Sequence, residues 1–215
     1  MSKVFYDKPI IDQIFEEFCK SKSKQDQNKL IKLVSILPPE DVNKQNSNGR
    51  NTALILASIS NFAKIVKLLL EKEGIDVNIQ NIRGNTALMF ASVMLYHTEI
   101  VKLLLEHKDI DVNIQNHRGN TALIHISFHS RIEIAKLLLE HKDIDVNIQD
   151  NNGRSALMIV SRKGRIEIVK LLLEHKDIDV NIQNNDGNTA LNIVHTLNRN
   201  EVVKLLEGHK SNKKN

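Results

Sequence analysis

Nine histidines, one cysteine and 26 carboxylates are the residues of this 215-residue chain best equipped for chemistry. Their spacing offers little. His125 and His129 stand four apart, which on a helix would present two imidazoles to one metal ion, but no third ligand accompanies them. His107, His141 and His175 each sit in an E-H-K phrase about one repeat apart. That is too far to share an ion, and a protonated ring at the end of a helix would complement the last carbonyls. Cys19 is alone, which excludes an internal disulfide and suits a reducing compartment; its expected place is a small, buried apolar position. The carboxylates recur by position, as solubilising charges do, and do not pair as general acid and base. G-x(4)-G-K-[ST], G-x-G-x-x-G, H-E-x-x-H and G-x-S-x-G are all missing. The expectation is a protein that is not an enzyme, with no catalytic residues, no metal and no cofactor.

Charge narrows the partners. The net charge is +4, and Lys210, Lys213 and Lys214 supply three of those charges. The body is therefore close to neutral, which argues against a groove that tracks phosphates. No apolar run reaches the roughly 18–20 residues that span a bilayer. The opening M-S-K-V-F-Y-D-K-P lacks the apolar segment of a secretory signal. Neither nucleic acid nor membrane is an expected partner, and the expected state is a cytoplasmic monomer.

What positions these side chains is a repeat. The glycine of a G-x-[ST]-A-L phrase falls at Gly49, Gly84, Gly119, Gly153 and Gly187, in steps of 35, 35, 34 and 34 residues. The asparagine of D-V-N keeps the same beat at Asn43, Asn78, Asn113, Asn147 and Asn181. A period in this range marks stacked modules that bury a core only against their neighbours. Within each period Thr52, Thr86, Thr121 or Ser155 precedes Ala-Leu, where a hydroxyl caps a helix N-terminus. The expected first helices are short: Ala53–Ile59, Ala87–Leu95, Ala122–Phe128 and Ala156–Arg162. The second are longer and amphipathic: Ala63–Lys72, Thr98–His107, Ile132–His141 and Ile166–His175, with Ile100, Val101, Leu103, Leu104 and Leu105 showing the apolar face. The phrase I-D-V-N-I-Q-N alternates with period two and leads to the glycine, which reads as an extended arm and a tight turn.

This module resembles the ankyrin repeat over roughly residues 40–207. The resemblance implies an all-α ankyrin-repeat solenoid, with β-turn fingers and first helices lining a concave face and second helices forming the back. Residues 1–41 are expected to be an N-terminal capping helix pair, built on Ile10, Ile11, Ile14, Phe15 and Phe18 and then on Leu30, Ile31, Leu33, Val34 and Leu37. Residues 42–208 hold five signature repeats, the last acting as the C-terminal cap. Glu207-Gly208 is expected to end the last helix, leaving 209–215 as a disordered basic tail. The family's T-P-L-H phrase departs here: proline becomes Ala53, Ala87, Ala122, Ala156 and Ala190, and histidine becomes Ile55, Met89, Ile124, Met158 and Asn192. The threonine–histidine hydrogen bond should be missing while the threonine cap remains. The turn wording K-D-I-D-V-N looks like ankyrin proteins of large amoeba-infecting DNA viruses and some intracellular bacteria. Asn78, Asn113, Asn147 and Asn181 also match the position that asparaginyl hydroxylases modify in animal members.

Repeat-invariant positions build the stack, so recognition is expected where copies differ on the concave side. The candidate partner-binding residues are Arg83, Met94, Tyr96, His117, Arg118, Phe128, His129, Arg162 and Lys163, types enriched in interface hot spots. The resemblance implies a non-catalytic protein–protein interaction scaffold. The alternative is a viral or bacterial effector that redirects a host factor, for example to a ubiquitin ligase, with residues 1–37 then recruiting the ligase.

Overall fold

The computed structural model describes residues 8–20 and 24–212. Residues 1–7 and 21–23 of the expected cap and the last three residues of the expected tail lie outside them. Twelve α-helices are described: α1 Ile10–Lys20, α2 Lys24–Ser35, α3 Ala53–Ile59, α4 Ala63–Leu70, α5 Ala87–Val93, α6 Thr98–Leu105, α7 Ala122–Ser127, α8 Ile132–Leu139, α9 Ala156–Lys163, α10 Ile166–Glu174, α11 Ala190–Thr196 and α12 Asn200–Asn212. Odd helices pack on odd ones and even on even, α3 on α5 on α7 on α9 on α11 and α2 on α4 on α6 on α8 on α10 on α12. The result is a two-layered solenoid.

Side-chain size dictates the layers. Ala53, Ala57, Ala87, Ala91, Ala122 and Ala156 are buried in the inner helices and let neighbours approach closely. The outer helices bury Leu69, Leu104, Leu138 and Leu172 completely, and each such side chain stabilises the stack by about 2 kcal/mol. From α3 onward every inner helix starts at its hydroxyl: Thr52, Thr86, Thr121, Ser155 and Thr189 accept from the backbone N–H three residues on. Ile55, Met89, Ile124 and Met158 are buried where histidine stands in the family phrase. In the last repeat the bond is replaced rather than lost, because Asn192 Oδ1 accepts from the Thr189 backbone N–H at 3.0 Å and from its hydroxyl at 2.8 Å.

The D-V-N arms are turns and not extended arms. A single isolated bridge, Gln149 with Ser155, is the sheet-like pairing among the described residues. Side chains take the place of a sheet. Asn78 Nδ2 donates to Asp109 O at 2.7 Å while its Oδ1 accepts from Asp111 N at 2.9 Å. Asn43, Asn113 and Asn147 repeat this pair of bonds toward the following module. Gln45, Gln80, Gln115 and Gln149 form a second ladder, each amide donating to its own finger and to the next glutamine's carbonyl.

Two expectations are corrected at the ends of the chain. α12 runs through Gly208 to Asn212 instead of stopping at Glu207. Gly208 stays out of the left-handed region that would terminate the helix, and lysine near a helix C-terminus favours its dipole. Cys19 is exposed and not buried, because α1 turns Ile11, Ile14 and Glu17 inward and leaves Cys19 on the wet side.

Candidate functional site

The fingers form one wall of a trough and the C-terminal ends of the inner helices form the other. Each finger tip is clamped to the next by a backbone bond: His117 N to Arg83 O at 3.2 Å, Asn151 N to Arg118 O at 3.1 Å, Asn185 N to Asn152 O at 3.2 Å. Gly119 makes this approach possible. Its φ is +76°, and a Cβ there would stand 2.6 Å from the Asn151 nitrogen, so only glycine fits.

A third ladder runs inside the fingers. Asn81 and Asn116 close Asx turns, each Oδ1 accepting from the N–H groups two and four residues on. Their Nδ2 groups reach back to the preceding module, Asn81 to Asn51 Oδ1 at 3.0 Å and Asn116 to Asn85 Oδ1 at 2.7 Å. At the next step the sequence has Asp150. A carboxylate has no N–H to give Asn120, whose Oδ1 is buried without a donor. Turning the Asn120 carboxamide over would offer its NH₂ to the Asp150 carboxylate. Asp150 instead binds Arg154, with Nε at 2.8 Å and Nη2 at 2.6 Å from Oδ2. The aspartate side chain is 1% exposed and the arginine 30%. The guanidinium carbon lies 5.7 Å from the centre of the Phe128 ring, within cation–π reach.

Phe128 and Arg154 divide the trough into two adjoining hollows. One, of about 500 Å³, lies over Arg118, Asn120, His125 and His129. The other, of about 670 Å³, is lined by Met158, Ile159, Arg162, Lys163, Leu197 and Arg199 among others. Of the residues expected from sequence, Arg118, Phe128, His129, Arg162 and Lys163 come together around this divide. Arg83, His117, Met94 and Tyr96 do not line either hollow. The first two are exposed on finger tips, and Met94 and Tyr96 lie on the loop after α5, beside the lining residue Val93. Tyr96 is 87% exposed with φ +65°, a backbone state that costs a bulky residue about 1–2 kcal/mol.

The family follows from comparison with known proteins. A model of the family described as Ankyrin repeats (3 copies) matches residues 21–116, 73–150 and 142–215. The chain belongs to the ankyrin repeat family. A crystal structure of an ankyrin repeat protein, EF0377, is similar with a TM-score of 0.79 and 28% identity, over 92% of this chain and 97% of that one. No curated protein matches.

Within the ankyrin stack the histidines serve the fold. His107, His141 and His175 each use Nδ1 to accept from the backbone N–H two residues on, at Asp109, Asp143 and Asp177, rather than reaching the last helix carbonyls. His125 Nε2 lies 3.2 Å from Asn116 Nδ2, so Nε2 accepts and the proton belongs on Nδ1. Burial holds the His125 pKa down, helped by the His129 and Arg118 charges. His129 is lowered by burial and then by Arg131 and Arg165. No group of three metal-binding side chains occurs among the described residues, and no described helix is long and apolar enough to cross a membrane. Arg199, Asp150 and Arg154 are site residues that sequence reasoning missed, and the last two carried a signal. Their signal is a joint departure: copies at the first position read Asn46, Asn81, Asn116 and Asn184, and at the second Asn51, Asn85, Asn120 and Asn188.

Proposed function

We propose that this ankyrin stack is a non-catalytic scaffold that captures one partner protein along its concave trough, with α1–α2 and α11–α12 closing its two ends. Ankyrin repeats are in general protein-interaction modules, and stacked repeats offer extended concave surfaces for binding. The observation that carries the reading is the divide between the hollows: Phe128 and Arg154 stand where the asparagine ladder gives way to a charge pair, and both hollows open around them. A stack held by so many side-chain bonds loses little ordering entropy on binding.

The test is affinity purification with mass spectrometry on three forms of the chain: unaltered, Phe128→Ala with Arg162→Ala, and Lys102→Ala with Lys136→Ala on the back. A partner recovered by the first and third forms but not the second supports the trough. Equal recovery by all three sinks it.

A further inference from the structure

Arginine is sorted across this molecule. Every arginine lies in a finger, in the last turn of an inner helix or in the loop after it, whereas the outer helices carry lysine as their cation. Three of the outer helices lean acidic: α6 and its cap carry Glu99, Lys102 and Glu106, and α8 and α10 repeat that pattern. Positive charge is thus gathered on the concave side of a nearly neutral body.

Some of these arginines are committed to the fold. Arg131 Nε donates to Val93 O at 3.2 Å, Arg50 binds Gln45 Oε1 at 3.1 Å, and Arg154 is neutralised by Asp150. Arg118, Arg162, Lys163 and Arg199 differ. They line the two hollows, and none has a carboxylate within 4 Å among the described residues. Asp186 is the one carboxylate lining the larger hollow, and Asp150 in the smaller is already paired. Beside polar lining residues such as Asn188 and Asn192, part of the floor is apolar: Ile159 is buried, Phe128 half-buried, and Leu197 is 45% exposed.

Guanidinium groups bind carboxylates in two-pronged fashion, and an apolar floor between them wants a hydrocarbon side chain. We propose that the trough recognises an acidic segment of the partner protein, in which Asp or Glu residues flank an aliphatic or aromatic residue that settles on Phe128 and Leu197. This rests on the concave-face reading above and adds the partner's chemistry. A nucleic acid suits the surface less well, because its phosphates would leave the apolar floor empty.

The test selects from a library of randomised peptides on the whole folded chain. It then measures fluorescence anisotropy with the selected peptides and with a labelled probe carrying one leucine between glutamate pairs. The expected outcome is enrichment of Asp and Glu around one apolar residue, with binding that weakens as salt screens it. Arg162→Ala with Lys163→Ala should weaken binding about tenfold or more, and Lys102→Ala with Lys136→Ala should leave it unchanged. Thermal melts of both variants check that the stack is intact. Selected peptides that need Phe128 but show no acidic preference overturn this inference while leaving the interaction reading standing. Failure to recover any peptide that depends on the trough overturns both. An oligonucleotide that binds more tightly than the acidic probe, and is lost in the Arg162/Lys163 variant, overturns the peptide assignment.

Discussion

On the D-V-N side of the stack, Asn43, Asn78, Asn113 and Asn147 make the same pair of bonds four times over. Inside the fingers the corresponding asparagine ladder runs for two steps and then breaks at Asp150. Both ladders rest on the same geometry, since each module packs on the last in the same way. Where every copy keeps a donor and an acceptor, each bond reinforces the next. Where one copy swaps an amide for a carboxylate, its neighbour's carboxamide must turn over to keep a partner and the new charge must find a cation. Arg154 is that cation, and answering Asp150 brings it against Phe128 at the centre of the trough. Regularity holds the molecule together; the lapse in regularity shapes its trough.

The comparison can be broken hardest at the glycines. Gly119→Ala forces a Cβ into the next finger's backbone at φ +76°, whereas Gly187→Ala has the same φ but meets nothing within 4 Å. The first should cost about 3 kcal/mol or more and the second about 1 kcal/mol, read as the difference in chemical-denaturation midpoints. Next come the asparagines. Asn113→Ala removes two cross-module bonds and should cost about 1–3 kcal/mol. Asn181→Ala has no following D-V-N arm to stitch and should cost less than about 0.5 kcal/mol. Equal losses at the two positions would mean that the ladder does not stabilise the stack.

The break itself gives a smaller effect of opposite sign. Changing Asp150→Asn together with Arg154→Asn restores the ladder and should raise stability by about 1 kcal/mol. Arg154→Ala alone strands a buried carboxylate and should lower it by about 2 kcal/mol. A melting series of the three proteins checks the order. The smallest effect is in pH. The His125 pKa is lowered in the folded state, chiefly by burial, so the unfolded chain binds the proton more readily. The stability this ring contributes is present above its ordinary pKa of about 6.5 and falls away as pH drops below that value. His125→Gln should flatten the melting temperature between about pH 7 and 5 relative to the parent.

Much of this was legible in the sequence because it is local. The threonine caps, the small inner-helix residues and the left-handed glycines each follow from a residue's own backbone preferences, repeated five times. Cys19 and the end of α12 were misjudged for want of context: which face of a terminal helix is wet depends on what packs beside it, and an unstrained glycine need not end a helix. Arg118, Phe128, His129, Arg162 and Lys163 could be singled out as departures from the repeat, as could Arg83, Met94, Tyr96 and His117. Nothing in the departures themselves told which five would converge.

The sequence by itself determined the module, its period and its stacking, because short-range sterics, capping and apolar spacing act within one repeat and its neighbour. Only the tertiary structure decided that Asp150 would draw Arg154 onto Phe128, and that Arg118, Arg162, Lys163 and Arg199 would face one trough without carboxylates to neutralise them. Apart from the local Asp150–Arg154 pair, those relations join residues of different modules, where distance is set by how helices pack and not by how residues follow one another.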